Sequence, residues 1–210
     1  MVPAGFVRAY TQVRRPSLVP EVRLHVADDV VALWEAMEDA AGGAGEDPPF
    51  WAAAWPGGQA LARAVLDRAV PVAGRRVLDL GSGSGLVAVA AVLAGARHVL
   101  ASDVDPFSRT AVGVNAGLNG VRGISVIGDV LDRDPVGTDV VLAGDVCYDR
   151  EMTERVLPFL DRARARGLEV YIGDPGRPYL PHDRLQAVAV YEIPETEGPG
   201  LRRTTVWRLP

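Results

Sequence analysis

Residues 77–85, VLDLGSGSG, run from a short apolar stretch through Asp79 into three alternating glycines, Gly81, Gly83 and Gly85. The helical pattern LVAVAAVLAG follows at once, so the stretch reads as a β-strand, a tight turn and the start of a crossover helix. Glycine lets a ligand approach the backbone at such a turn, and the turn's N–H groups are expected to face that ligand. The plain alternative is a structural strand-to-helix turn. The next apolar run, RHVLASD, ends at Asp103 about twenty residues after Gly81, where an acidic side chain holds ribose hydroxyls in dinucleotide-type folds.

The same alternation continues toward the C-terminus, with a helix expected over Phe107 to Leu118 and another over Glu151 to Arg166. ISVIGD, TDVVLAGD and LEVYIGD are strand candidates, each ending in an acidic residue at the carboxyl edge where ligands bind. LQAVAVYEI and LRRTTVWRL, joined by PETEGPG, suggest an antiparallel pair. Toward the N-terminus, an amphipathic helix is expected from about Gln59 to Arg68, beside the sheet. Residues 1–48 read as an extension with a strand at Glu21 to Val26 and a helix from Asp28 to about Ala41, capped by Asp28 or Asp29. Gly42 to Pro49 reads as a linker, which leaves 49–210 as the main domain.

The 210 residues carry 48% hydrophobic and 23% charged side chains, an ordinary balance for a globular protein with one sizeable core. Apolar runs are too short and too interrupted for a transmembrane helix. The N-terminus MVPAGFVRAYTQVRRP lacks the apolar stretch of a secretory signal, so a cytoplasmic location is expected. Net charge is −5, and no dense basic stripe is present, which argues against nucleic acid as a partner. All 22 basic residues are arginine, so no lysine base or Schiff base is available. His25, His98 and His182 are scattered without metal-ligand spacing, and no metal is expected. The lone Cys147 reads as a small buried hydrophobe beside the candidate site, where thiol sensitivity is worth checking.

The turn D-x-G-x-G-x-G departs from the G-x-G-x-x-G dinucleotide fingerprint. Over roughly residues 50–210 it resembles, with its acidic strand ends, the seven-β-strand S-adenosylmethionine-dependent methyltransferases. The resemblance implies a Rossmann-like α/β fold, with a seven-stranded sheet ending in an antiparallel hairpin and helices on both faces. It also implies that Asp79, Gly81, Gly83 and Gly85 line the methionine part of the cofactor and that Asp103 takes both ribose hydroxyls. Gly128 and Asp129 match the adenine-contacting turn.

Asp145 and Tyr148 in D-V-C-Y resemble the D/E-x-x-Y/F signature of the lysine-methylating family-16 branch, and are the candidates for the methyl-transfer site. The plain alternative makes Asp145 a cap for the following helix. PFWAAAWPGGQAL (49–61) and IGDPGRPYL (172–180) are similar to methyltransferases of the electron transfer flavoprotein β-subunit, which implies Trp55 against the cofactor and Asp174 near the acceptor. Related bacterial sequences carry the label nicotinamide N-methyltransferase. Trp51 and Trp55 also fit an ordinary hydrophobic pair on one helix face.

Four readings follow. The acceptor is a lysine on a protein partner, for which the electron transfer flavoprotein β-subunit is the best candidate, or it is a small-molecule amine. Alternatively the chain binds cofactor without catalysis, or it is an NAD-dependent dehydrogenase, which the glycine spacing disfavours.

Overall fold

The computed structural model describes residues 2–43, 45, 47–135, 137–194 and 200–210. The chain opens with α1 (Ala4–Ala9), the short strands β1 (Gln12–Arg14) and β2 (Leu24–Val26), and α2 (Val30–Ala41). Strand β2 is shorter than the expected Glu21 to Val26, and it pairs antiparallel with β1. Asp29 caps α2 by accepting the Ala32 N–H at 3.0 Å, whereas Asp28 pairs with Arg14. A 3-10 turn, Phe50–Ala52, then leads to α3 (Pro56–Leu66). This helix begins three residues before the expected Gln59, because Pro56 occupies its first position with φ already set for a helix.

Next come β3 (Arg76–Leu80), α4 (Leu86–Leu93), β4 (His98–Ser102), α5 (Pro106–Leu118), β5 (Ile124–Ile127), β6 (Val140–Gly144), α6 (Arg150–Ala165), β7 (Glu169–Asp174), β8 (Gln186–Pro194) and β9 (Leu201–Leu209). Seven strands form one sheet in the order β5-β4-β3-β6-β7-β9-β8. The strands from β3 to β7 are parallel, and β9 enters antiparallel between β7 and β8, as the Rossmann-like reading expects. Most of the PETEGPG turn, residues 195–199, lies outside the described residues.

The central strands β3, β6 and β7 are buried on both faces, with successive side chains alternating between them. Val140 and Leu142 pack with α3 and α4 on one side, while Val141 and Ala143 pack with α6 on the other. The first segment is not detached from this body. Val7, Leu33 and Met37 bury against Trp51 and against Phe107, Ala111 and Val114 of α5.

The entry of α3 lies on the sheet backbone to backbone. A Cβ placed on Gly57 would sit 2.2 Å from the Gly173 carbonyl oxygen, and one placed on Gly173 would sit 2.1 Å from that of Gly57. Glycine at both positions lets the first turn of α3 reach the carboxyl ends of β6 and β7.

Candidate active site

A cleft of about 370 Å³ opens along the carboxyl edge of β3, β4 and β6, a size suited to a small organic ligand. A smaller recess continues from it beneath the glycine turn, and the two share Trp55, Gly81, Gly83, Gly144 and Asp145. Gly81, Gly83 and Gly85 all take positive φ, of 63°, 50° and 79°, which residues with a side chain seldom adopt. Gly81 and Gly83 line the cleft. Gly85 instead faces α5, where an added Cβ would meet Val112 at 3.2 Å.

The expectation that the turn's N–H groups face a ligand is corrected for Ser82, Gly83 and Gly85. Ser82 donates to the Ser102 carbonyl, Gly83 to Asp103 Oδ2 and Gly85 to the Ser82 carbonyl. Those three donors are spent inside the protein, so they contribute close approach rather than a nest of free amides.

Asp79 is 1% exposed, and its Oδ2 accepts the Ala88 N–H at 3.0 Å near the start of α4. Burial pushes its carboxyl up to about 7 against that hydrogen bond, and Asp103 adds to the rise. Asp103 lies on the floor of the main cleft, and its Oδ1 accepts the Asp105 N–H at 3.0 Å. Burial raises this carboxyl too, opposed by the N–H groups of Gly83 and Asp105. Asp129 lines the far end, with Leu131 N–H on Oδ1 and Arg155 on Oδ2. Partial burial acts upward on its carboxyl, but these two partners prevail and hold it below the usual range.

Asp145 stands where the recess meets the cleft, at φ 57° and 8% exposed. It does not cap α6; Asp149 does, through the Met152 N–H at 2.7 Å. Asp145 Oδ2 accepts the Gly58 N–H at 2.8 Å, and Oδ1 accepts Arg177 Nη2 at 3.1 Å. Burial raises its carboxyl, against the pull of Gly58 and Arg177. Tyr148 forms a half-exposed wall, its ring 5.6 Å from that of Phe50, and Phe50 lies 5.9 Å from Trp55. Trp55 Nε1 donates to the Phe50 carbonyl at 2.7 Å, which fixes the indole at the rim.

Other candidates fall elsewhere. Trp51 and Trp55 do not share a helix face: Trp51 is fully buried in the 3-10 turn, and Trp55 precedes α3 in extended conformation. Asp174 is not on the cleft wall; it is 1% exposed, and its Oδ1 accepts the N–H groups of Gly176 and Arg177 at 2.7 Å each. Cys147 is fully buried, and burial pushes its thiol up to about 11, so thiolate chemistry and the expected thiol sensitivity have no support. Phe50 and Arg177 were missed as site residues. Both lie inside the two stretches that carried the family resemblance, but nothing in their spacing marks them.

Fold and site together define a class I S-adenosylmethionine-dependent methyltransferase. The family model for ribosomal protein L11 methyltransferase (PrmA) matches residues 60–146, from α3 through the glycine turn to the loop after β6. Among solved structures, the ribosomal protein L11 methylase of Lactobacillus delbrueckii subsp. bulgaricus is 25% identical with a TM-score of 0.50, over 70% of this chain and 75% of that one. SMU.776, solved in complex with SAH, is 11% identical with a TM-score of 0.60, over 94% of this chain and 56% of that one, and shares the fold. The electron transfer flavoprotein beta subunit lysine methyltransferase of Xenopus laevis is 36% identical over 98% of this chain and 86% of its own length. The human one is 36% identical over 91% of this chain and 75% of its own. The chain belongs to this family of lysine methyltransferases.

Proposed function

We propose that the chain transfers a methyl group from S-adenosylmethionine to a lysine ε-amine of a protein partner, with the electron transfer flavoprotein beta subunit as the partner to test first. The observation that carries this reading is the placement of Asp145. One buried carboxylate stands between the recess under the glycine turn and an aromatic-walled opening made by Phe50, Trp55 and Tyr148.

The residues fit the cofactor. Asp103 keeps lone pairs beyond those used by Gly83 and Asp105, in a cleft whose floor at Gly81 and Gly83 has no side chain to exclude a ligand. Asp79 lines the recess, where a carboxylate suits the amino group of a methionine moiety. S-adenosylmethionine supplies an electrophilic methyl on a sulfonium.

The protein's task is then to present a neutral amine in line. A free lysine, with a pKa of about 10.4, is charged at neutral pH. The aromatic rim removes water from it, which favours loss of its proton, and Asp145 accepts a hydrogen bond that aligns the nitrogen. Tyr148 closes the wall.

The test is incubation with labelled S-adenosylmethionine and purified electron transfer flavoprotein beta subunit, or a lysate of cells lacking the enzyme, with mass spectrometry of the labelled band. Methyl groups on lysine are expected. Label only on nicotinamide or another small amine would move the acceptor to the small-molecule class.

A further inference from the structure

Arg177 reaches the carboxylate at the centre of the cleft from a turn that is built to aim it. Asp174 Oδ1 holds the N–H groups of Gly176 and Arg177, and Gly176 takes φ 90°. The guanidinium that results, with its side chain 25% exposed, lines the main cleft and donates to Asp145 Oδ1 at 3.1 Å.

The chemistry of methyl transfer gives this contact a purpose. A bare carboxylate beside an incoming lysine binds the ammonium and keeps it protonated, which opposes nucleophilic attack. A carboxylate paired with a guanidinium still accepts hydrogen bonds, but it presents little net charge, and arginine does not lose its own proton. We propose that Arg177 is a positioning residue that keeps the acceptor amine neutral, by cancelling the charge of Asp145 while each Asp145 oxygen keeps a second lone pair to align the nitrogen. This rests on the lysine-acceptor reading above and deepens it.

The groups around the pair are consistent with this role. Asp174 stands on the same turn, with His182 acting on it, and it adds a second negative charge facing Asp145. Cys147 and Tyr148 follow Asp145 on the loop before α6, and burial raises both, so neither becomes an anion near neutral pH. Asp149 and Glu151, next along the chain, and Asp47 and Asp103, which line the same cleft, act on Tyr148. Gly58, on α3, brings an N–H but no charge. Without Arg177, carboxylates would dominate the field at the amine.

The experiment is single-turnover methyl transfer to the purified electron transfer flavoprotein beta subunit between about pH 6.5 and 9.5, comparing wild type, Arg177→Met and Arg177→Lys. Label is read on the partner's lysine, and cofactor affinity is measured alongside. Arg177→Met is expected to move the acid limb of the profile up by about one to three pH units. Turnover near pH 7 then falls about tenfold for each unit, without a rise in the KM for the partner. Arg177→Lys keeps the charge and brings the limb back toward the wild type. An equal loss at every pH in Arg177→Met, or an unchanged profile, overturns the proposal while leaving the lysine acceptor standing. A wild type that labels no lysine overturns the acceptor reading itself, and this inference with it.

Discussion

The Asp103 carboxylate accepts the Gly83 N–H at 2.8 Å, so the acidic end of β4 and the glycine turn after β3 form one continuous surface. The glycine turn offers shape and the carboxylate offers charge. Three of the turn's N–H groups, those of Ser82, Gly83 and Gly85, are already satisfied within the protein, so the carboxylate brings polar recognition that they do not.

Asp103→Ala is therefore expected to weaken cofactor binding by roughly 2–4 kcal/mol, through loss of charge-assisted hydrogen bonds to ribose hydroxyls. Burial raises the Asp103 carboxyl in the free protein. Affinity should then decline as the pH falls toward that raised range and the carboxylate takes up a proton. Calorimetric titration with SAH at two pH values decides, and unchanged affinity in Asp103→Ala would falsify the assignment.

Asp79 predicts the opposite trend for stability. Its carboxyl rises from 3.8 to about 7 on folding, so between those values the folded protein binds more protons than the unfolded chain. Stability from this group is full at the acid end of that window and is lost as pH rises through it, at about 1.4 kcal/mol per pH unit. Asp79→Asn, whose amide oxygen can still accept the Ala88 N–H, should flatten this slope and stabilise the cofactor-free protein at pH values above the window. Thermal melts of both proteins across the range test it, and parallel pH dependences would refute the claim.

Asp145→Asn keeps the Gly58 contact but replaces the oxygen that faces Arg177 with an amide NH2, which cannot accept a hydrogen bond from the acceptor amine. Asparagine tolerates the left-handed backbone and can still accept the Gly58 N–H. Turnover should fall about 100-fold, as when an attacking group is misaligned, while SAH affinity changes little. Equal losses in both would place Asp145 with the donor instead of the acceptor.

How much of this was readable in advance depended on how local each signal was. The glycine turn and the acidic strand ends rest on short continuous apolar runs, buried on both faces, and on glycine, both written in consecutive residues. The role of Arg177 depends on a contact between two turns 32 residues apart, and no periodicity reports that. Asp174 ends its strand as Asp103 follows its own, yet it turns inward to hold the loop that carries Arg177. The helical spacing of Trp51 and Trp55 misled because Pro56 starts its helix after both. Burial of α1 and α2 against α5 likewise needs the folded chain, since those segments read as an appendage by composition.

Neighbouring glycines at the start of α3 should respond differently. Gly57→Ala drives a methyl group into the Gly173 carbonyl and within 2.6 Å of Asp145 Oδ2, so a loss of about 3 kcal/mol or more is expected, with activity falling too. Gly58→Ala meets nothing within 4 Å and keeps the N–H that Asp145 uses. It should gain about 0.5–1 kcal/mol from helix propensity. Thermal denaturation of the two variants checks this, and comparable stabilities would show that α3 does not ride on the sheet backbone as described.

Asn115 links the first segment to the cofactor turn. Fully buried in α5, it accepts the His25 N–H on Oδ1 at 2.9 Å and donates from Nδ2 to the Ser84 carbonyl at 2.8 Å. Ser84 lines the recess, so the strand β2 and the floor of the site share one amide. Asn115→Leu keeps the bulk but leaves a buried N–H and a buried C=O without partners, at a cost of about 1–3 kcal/mol each. Because one of the orphaned groups belongs to the glycine turn, SAH affinity should fall along with stability. Asn119 is the control. It ties the backbone of Arg23 to the end of the same helix at an exposed position, through Oδ1 at 2.8 Å and Nδ2 at 2.7 Å. Asn119→Ala should lower the melting temperature slightly and leave SAH affinity alone. Melting curves and SAH titrations on both variants separate the two roles, and an Asn115→Leu protein that melts early yet binds SAH like the wild type would reduce Asn115 to a packing residue.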